Sequence, residues 1–275
     1  MDYFQAVILG IVEGLTEFLP VSSTGHLTIA EQILGLELDD PAVTAFTAVI
    51  QMGAILAAFL YFFGDIVRIV KAWLLGLVKP EVRGTFDHRM GWYVIAGTIP
   101  IGIVGLAFKD FITGPLRSLW VVAVALIAWS AVMLYAESRG RHERGERALT
   151  LRDSVIVGLV QCIALVPGVS RSGATVSAGL LCGLERVTAT RLSFLLSIPA
   201  LLAAGLFELK DEVGGGIGLG PTIVGTVVSF CVAYASVAWL LRFVAGHSIG
   251  RFVPYRVALG VLLIVALSAG WLSPT

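Results

Sequence analysis

Between Gly10 and His26 the chain reads G-I-V-E-G-L-T-E-F-L-P-V-S-S-T-G-H, setting Glu13, Glu17, Ser22, Ser23, Thr24 and His26 into an otherwise apolar stretch. Glu13 and Glu17 are four residues apart, so on a helix they share one face. Gly10 and Gly14 form a small-xxx-small pair that lets a neighbouring helix come close. Ser22 and Ser23 follow Pro20, where a new helix can begin; one of them is expected to cap it, leaving backbone N–H groups aimed at the tip, a favourable place for an anion. His26 lies three residues after Ser23, on the same helical face and within reach of its hydroxyl. A packing or capping role is the alternative for His26. For the glutamates it is a polar cluster that only fixes helix contacts.

The partner of this stretch lies far downstream, where Gly158 to Gly173 reads G-L-V-Q-C-I-A-L-V-P-G-V-S-R-S-G. A constant offset of 148 sets Gly10 on Gly158, Glu13 on Gln161, Ser22 on Ser170, Ser23 on Arg171 and Gly25 on Gly173. The chain therefore reads as two copies of one unit whose polar knots meet. Ser170-Arg171-Ser172-Gly173 repeats the helix start and adds a guanidinium. Two helix starts, several hydroxyls and an arginine converging on one point suit a phosphate or pyrophosphate, since Arg pairs phosphate oxygens bidentately. A plain ion pair between Arg171 and Glu13 or Glu17 is the alternative, and the two are compatible.

The elements that must position these groups follow from composition. Of 275 residues, 57% are hydrophobic and 14% charged, and the mean hydropathy is +0.91. Those values belong to an integral membrane protein rather than a soluble domain or a nucleic-acid-binding one. In a bilayer interior a carboxylate costs on the order of 2.5 to 3.5 kcal/mol even on lenient scales, so Glu13 and Glu17 call for partners or a polar cavity. Cys162, Cys182 and Cys231 sit in apolar segments without metal-ligand spacing and read as small packing residues. No basic n-region with a small-residue cleavage site opens the chain, so no removable signal peptide is expected.

Residues 2–35 form two apolar arms broken at Leu19 to Ser23. Each arm is about 18 to 25 Å long as a helix, short for a hydrocarbon core of about 30 Å, so a re-entrant hairpin is expected; a continuous span kinked at Pro20 is the alternative. Spans follow at 41–63, 91–108 and 118–136, and a basic linker at 137–153 closes a first repeat over 1–136. The second repeat, 154–275, holds a hairpin at 154–184 and spans at 192–208, 221–241 and 255–272. Ala96 to Pro100 (A-G-T-I-P) matches Val224 to Val228 (V-G-T-V-V), and the Gly-rich stretch Val213 to Gly220 reads as a flexible turn.

The expected fold is thus an all-α polytopic membrane protein of six spans and two hairpins. One hairpin plus three spans per half inverts the second repeat relative to the first. Fifteen Lys and Arg, from Arg68 to Arg89 in the 64–90 loop through the linker to Arg242, Arg251 and Arg256, fall on one side, against Lys109, Arg117 and Lys210 on the other. The positive-inside rule then turns both termini and the first hairpin outward, with the site near the midplane where the repeats meet.

V-E-G-L-T-E-F-L-P-V-S-S-T-G-H and P-G-V-S-R-S-G resemble the two signature regions of the undecaprenyl-pyrophosphate phosphatases, the bacitracin-resistance family of bacterial inner membranes, and length, hydropathy and repeat order match over essentially the whole chain. The resemblance implies hydrolysis of undecaprenyl pyrophosphate to the monophosphate, with a divalent cation, to recycle the lipid carrier of cell-wall synthesis. It places the acidic pair at Glu13 and Glu17, a candidate nucleophile at Ser23, the histidine at His26 and the phosphate-binding arginine at Arg171. The substrate-binding set is completed by Ser22, Thr24, Gly25, Ser170, Ser172, Gly173 and Gln51. Charge balance independently calls for Mg2+ or Ca2+ held by Glu13 or Glu17, because two carboxylates against one arginine would repel a pyrophosphate. Ser23, His26 and an activated water stay open as the nucleophile, with Glu17 or His26 taking the proton. A secondary transporter or lipid-phosphate flippase built on the same inverted repeat is the competing function class. The partners expected are the polyprenyl substrate and the bilayer, with no nucleic acid; a homodimer is left open.

Overall fold

The computed structural model describes residues 1–37, 40–113, 116, 118–212 and 218–274; most of the Gly-rich stretch Val213 to Gly220, and Arg117, lie outside the described residues. Asp2 opens α1 (Tyr3–Thr16) with a capping box: its carboxylate accepts the Gln5 backbone N–H, and its own N–H donates to Gln5 Oε1. At 14 residues α1 is about 21 Å long, less than a bilayer core. The chain turns through residues 17–22 and returns as α2 (Ser23–Ile33). Then come α3 (Pro41–Tyr61), α4 (Phe63–Val78), α5 (Phe86–Ala107), the short α6 (Lys109–Thr113) and α7 (Leu119–Arg139).

The second half opens with the same device. Thr150 caps α8 (Leu151–Gln161) in a box with Asp153, and a 3-10 turn over Cys162–Leu165 leads to α9 (Arg171–Leu181). The chain continues as α10 (Arg186–Glu212), α11 (Leu219–Gly246) and α12 (Val253–Ser268).

Among the described residues six helical segments are long and apolar enough to cross a membrane: Pro41–Tyr61, Phe86–Ala107, Leu119–Arg139, Arg186–Gly205, Leu219–Gly246 and Ile249–Ser268. The molecule is an all-helical multi-pass membrane protein. Several segments start earlier than hydropathy alone suggests, at Phe86 rather than 91 and at Arg186 rather than 192, because their first turns carry charge: Asp87 opens α5, and Arg186 is paired with Glu137.

One expectation is corrected. Residues 64–90 are not simply a basic loop, since α4 occupies most of the segment. Its apolar residues Val67, Val70 and Leu74 recur at helical spacing on an exposed face, interrupted in sequence by Arg68 and Lys71, so the helix is amphipathic and its charges hide its period in a hydropathy average. It packs on α5, with Trp73 against Trp92 edge-on at 5.5 Å between ring centroids.

The halves exchange partners. α1 packs on α11 while α8 packs on α5, and α3 and α10 lie against each other between them. Glycines set these contacts: a Cβ at Gly10 would stand 2.6 Å from the Gly225 carbonyl oxygen, and one at Gly158 would collide with that of Gly97. Gly10 and Gly158 are equivalent under the 148-residue offset, and Gly97 and Gly225 are the matched glycines of the A-G-T-I-P and V-G-T-V-V fragments. Each half's first short helix therefore meets the other half's copy of one glycine. Below the crossing, Phe18 stands edge-on to Phe194 (5.4 Å), which meets Phe62 (5.8 Å), and this aromatic cluster anchors the residue next to Glu17.

Candidate active site at two apposed helix tips

The start of α2 and the start of α9 face each other. Ser22 and Ser170, the residues before these helices, have φ of 77° and 75°, a region that non-glycine residues avoid and that costs on the order of 1 to 3 kcal/mol. The tips are tied directly, because Ser22 Oγ accepts the Gly168 backbone N–H at 3.1 Å. Ser22 therefore does not cap its own helix as expected: its hydroxyl is spent on the opposite tip, and α2 has no side-chain cap. Ser170 does cap α9, accepting the Gly173 N–H at 3.2 Å while sharing a bond with Ser172 Oγ.

The reactive groups form a chain across this junction. Ser23 Oγ donates to Glu17 Oε2 at 2.5 Å, and Arg171 Nη2 pairs with Glu17 Oε1 at 2.5 Å. Arg171 Nη1 is buried without a partner. Glu13, one turn before Glu17, is 0% exposed and neither carboxylate oxygen has a hydrogen-bond partner.

Above the chain lies a cavity of about 480 Å³. Glu17, Ser22, Ser23, Thr24, Ser170 and Arg171 line its polar end, together with Gln51 of α3. Its walls are apolar: Ile101, Gly102 and Leu106 of α5 face Ala200, Leu201 and Ala204 of α10. Each wall follows a proline inside its helix, Pro100 or Pro199. A polar end and a greasy wall suit an amphiphile with an anionic head.

A family model described as the bacitracin resistance protein BacA matches residues 6–262 of the chain. The chain belongs to this family. An undecaprenyl-diphosphatase 1 of Frankia alni is 60% identical over 267 residues, covering 97% of this chain and 96% of the relative. Undecaprenyl-diphosphatases of Acidothermus cellulolyticus (58% identical, 98% of each chain) and Mycolicibacterium smegmatis (54%, 99% of each) are similar over their full lengths. Both tips lie inside the part that defines the BacA family.

Not every residue singled out from the sequence reaches the cavity. Ser22, Ser23, Thr24, Gln51, Ser170, Arg171 and Glu17 line it; Glu13, Gly25, His26, Ser172 and Gly173 do not. Gly25 faces α7, where a Cβ would stand 2.7 Å from Val122 Cγ1, and Gly173 and Ser172 serve the Ser170 cap. The expected bond between His26 and Ser23 is not formed. His26 Nδ1 is bonded to the Ser22 carbonyl at 2.7 Å and Nε2 to the Tyr255 hydroxyl at 2.5 Å, and its ring stacks on Tyr255 at 5.6 Å.

Three residues at the site escaped the sequence reading. Thr98 and Lys109 of the first half line the cavity. Arg256, counted among the loop cations, is instead 0% exposed and reaches both tips. The signal was present, since a charged residue inside an apolar segment requires partners.

Proposed function

We propose that this protein hydrolyses undecaprenyl pyrophosphate to undecaprenyl phosphate and inorganic phosphate, recycling the lipid carrier of peptidoglycan synthesis and so conferring bacitracin resistance. The observation that carries the reading is the Ser23–Glu17–Arg171 chain at the polar end of an apolar-walled cavity. A transporter needs the arginine but has no use for a serine hydroxyl donated to a buried carboxylate.

The residues divide the work as follows. Phosphate oxygens engage the free Nη1 of Arg171 and the backbone N–H groups at the starts of α2 and α9. As the guanidinium turns to the phosphate, Glu17 keeps the Ser23 proton as its remaining partner. Ser23 Oγ attacks the distal phosphorus and its proton passes to Glu17. The P–O bond to the lipid phosphate breaks, and water then releases phosphate from the serine with Glu17 again taking the proton. His26 stays on Tyr255 and holds the Ser22 turn in place.

Glu13 fits a divalent cation: its two buried oxygens lack donors, and a carboxylate is a hard ligand for Mg2+ or Ca2+. Among the described residues no three acidic, His or Cys side chains cluster as a metal site, so Glu13 and Glu17 would share the ion with substrate oxygens. When bound it would neutralise phosphate charge. The basic residues concentrate on one side, so both termini and the cavity mouth are assigned to the outer face of the bacterial inner membrane.

The test is phosphate release from undecaprenyl pyrophosphate by purified protein, with and without Mg2+ or Ca2+, beside Ser23→Ala. Release that requires the cation and is abolished in the variant supports the reading; no release from folded wild type under any cation sinks it. Thr24→Cys should react with a membrane-impermeant thiol reagent from outside, and reaction only from the cytoplasmic side overturns the orientation.

A further inference from the structure

Arg256 lies in the first turn of α12 and is fully buried. Every hydrogen-bond partner it has is a neutral oxygen. Nη1 donates to the Pro20 carbonyl at 2.8 Å, and Nη2 to the carbonyls of Gly168 at 3.0 Å and Val169 at 3.1 Å. Nε donates to Ser130 Oγ at 3.1 Å, and a longer 3.4 Å contact joins Nη2 to the Leu126 carbonyl, both on α7. Among the described residues it forms no ion pair. A buried guanidinium without a counter-ion is a costly way to fill a core, so its placement calls for a reason.

The acceptors supply one. Pro20 and Gly168 are equivalent under the 148-residue offset, so a single guanidinium grips the same carbonyl of both tips. Each gripped carbonyl stands two residues before a strained serine, Ser22 or Ser170. Its planar fork presents Nη1 to one tip and Nη2 to the other in fixed geometry, which the three donors of a lysine, all on one nitrogen, do not reproduce. α7, the first half's counterpart of α12, carries no Lys or Arg before Arg139 at its end, so the device occurs once, at the join of the halves.

We propose that Arg256 is a positioning residue: by holding the Pro20 and Gly168 carbonyls together it sets the register in which Ser23 and Glu17 of one tip meet Arg171 of the other. Its charge also stays uncompensated beneath the site, which favours an anion above it. The inference rests on the phosphatase reading, and the wild-type assay separates the two: inactive wild type removes the function, whereas active wild type with an unaffected variant removes only the role of Arg256.

The experiment is steady-state kinetics on undecaprenyl pyrophosphate with Arg256→Lys, Ser22→Ala and the double variant, each checked for monodispersity and thermal melting in detergent. Ångström-scale loss of register costs about a hundredfold in turnover, so Arg256→Lys should lose about that much in kcat while KM stays within about threefold. Ser22→Ala breaks a second tie between the tips, the bond from the Gly168 N–H, so the double variant should lose far less than the product of the single losses. A folded Arg256→Lys with wild-type kcat overturns the proposal, and so do independent, multiplicative losses. If Arg256→Lys does not fold, Ser130→Ala decides: removing one acceptor of the guanidinium should lower kcat about fivefold with KM unchanged, and an unchanged kcat overturns it.

Discussion

At Ser22 and Ser170 the backbone takes the same strained turn, yet the two hydroxyls are used differently: Ser22 accepts across the junction from Gly168 and leaves α2 uncapped, while Ser170 caps α9 and adds only a long 3.5 Å bond to the Leu19 carbonyl of the other tip. One residue further on the tips separate in chemistry, with a hydroxyl at Ser23 and a guanidinium at Arg171. One turn before Glu17 they differ again, Glu13 against Gln161, both 0% exposed and both without hydrogen-bond partners. A repeated frame supplies two apposed helix starts, and substitutions at a few positions give one tip the hydroxyl and carboxylates and the other the guanidinium, the division that the proposed mechanism uses. The geometry is shared; the charge is not.

The sharpest break of this comparison is to remove what each tip alone supplies. Ser23→Ala and Arg171→Ala should each lower kcat by about a thousandfold or more, in line with loss of a nucleophile or of a principal charge stabiliser. Arg171→Lys should retain only part of the rate, because a point charge cannot hold both Glu17 and a phosphate as a fork can. Phosphate release measures all three, and near-wild-type rates in any of them would dissolve the division of labour.

Glu13→Gln makes the first tip match the second at that position. The protein should fold, since Gln161 already sits fully buried at the equivalent place. The cation concentration for half-maximal activity should rise about tenfold or more, the usual scale for losing part of a metal's surroundings. An unchanged cation titration would take Glu13 out of the metal role.

Stability tests the frame itself. Gly10→Ala and Gly158→Ala each force a methyl against a backbone carbonyl of the other half, and overpacking of that kind costs about 1 to 3 kcal/mol. Gly64→Ala, with nothing within 4 Å of the added carbon, should be neutral or slightly stabilising because alanine favours a helix. Equal melting temperatures for the three would mean that the exchanged glycine contacts do not hold the halves together.

The smallest effect concerns how the two hairpins begin. α1 opens on the Asp2–Gln5 box alone, whereas the Asp153 carboxylate that opens α8 also pairs with Arg144 at 2.6 Å. Burial pushes the Asp153 carboxyl up, but hydrogen bonds from Arg144 and Thr150 outweigh it and hold the group below the ordinary carboxylate range. With the folded value lowered, the stabilisation is complete above the unfolded pKa of about 3.9 and is lost as the pH falls through the lower folded value. Asp153→Asn should therefore melt below wild type at pH 7, and the gap should narrow as the pH falls below the unfolded pKa of about 3.9. A gap that persists in acid would assign the effect to something other than charge.

Much of this protein was legible in the residues alone. Hydropathy sets the class, because a chain this apolar must satisfy its backbone inside a bilayer with helices. The two signature stretches and their constant offset point to one site made from two tips, since polar groups in an apolar chain must find one another. Local sequence could not say which polar groups pair. The hydroxyl of Ser22, the ring of His26 and the guanidinium of Arg256 each had several partners within reach, and the choice depends on how α7, α9 and α12 pack around the tips. α4 stayed hidden for a related reason: Val67, Val70 and Leu74 are exposed while Ile69 and Gly76 are buried, and only the packing on α5 decides which face turns inward. Sequence determines which groups need partners through their burial cost, and only the tertiary structure, by bringing residues more than two hundred positions apart into contact, as with Pro20 and Arg256, decides which partners they get.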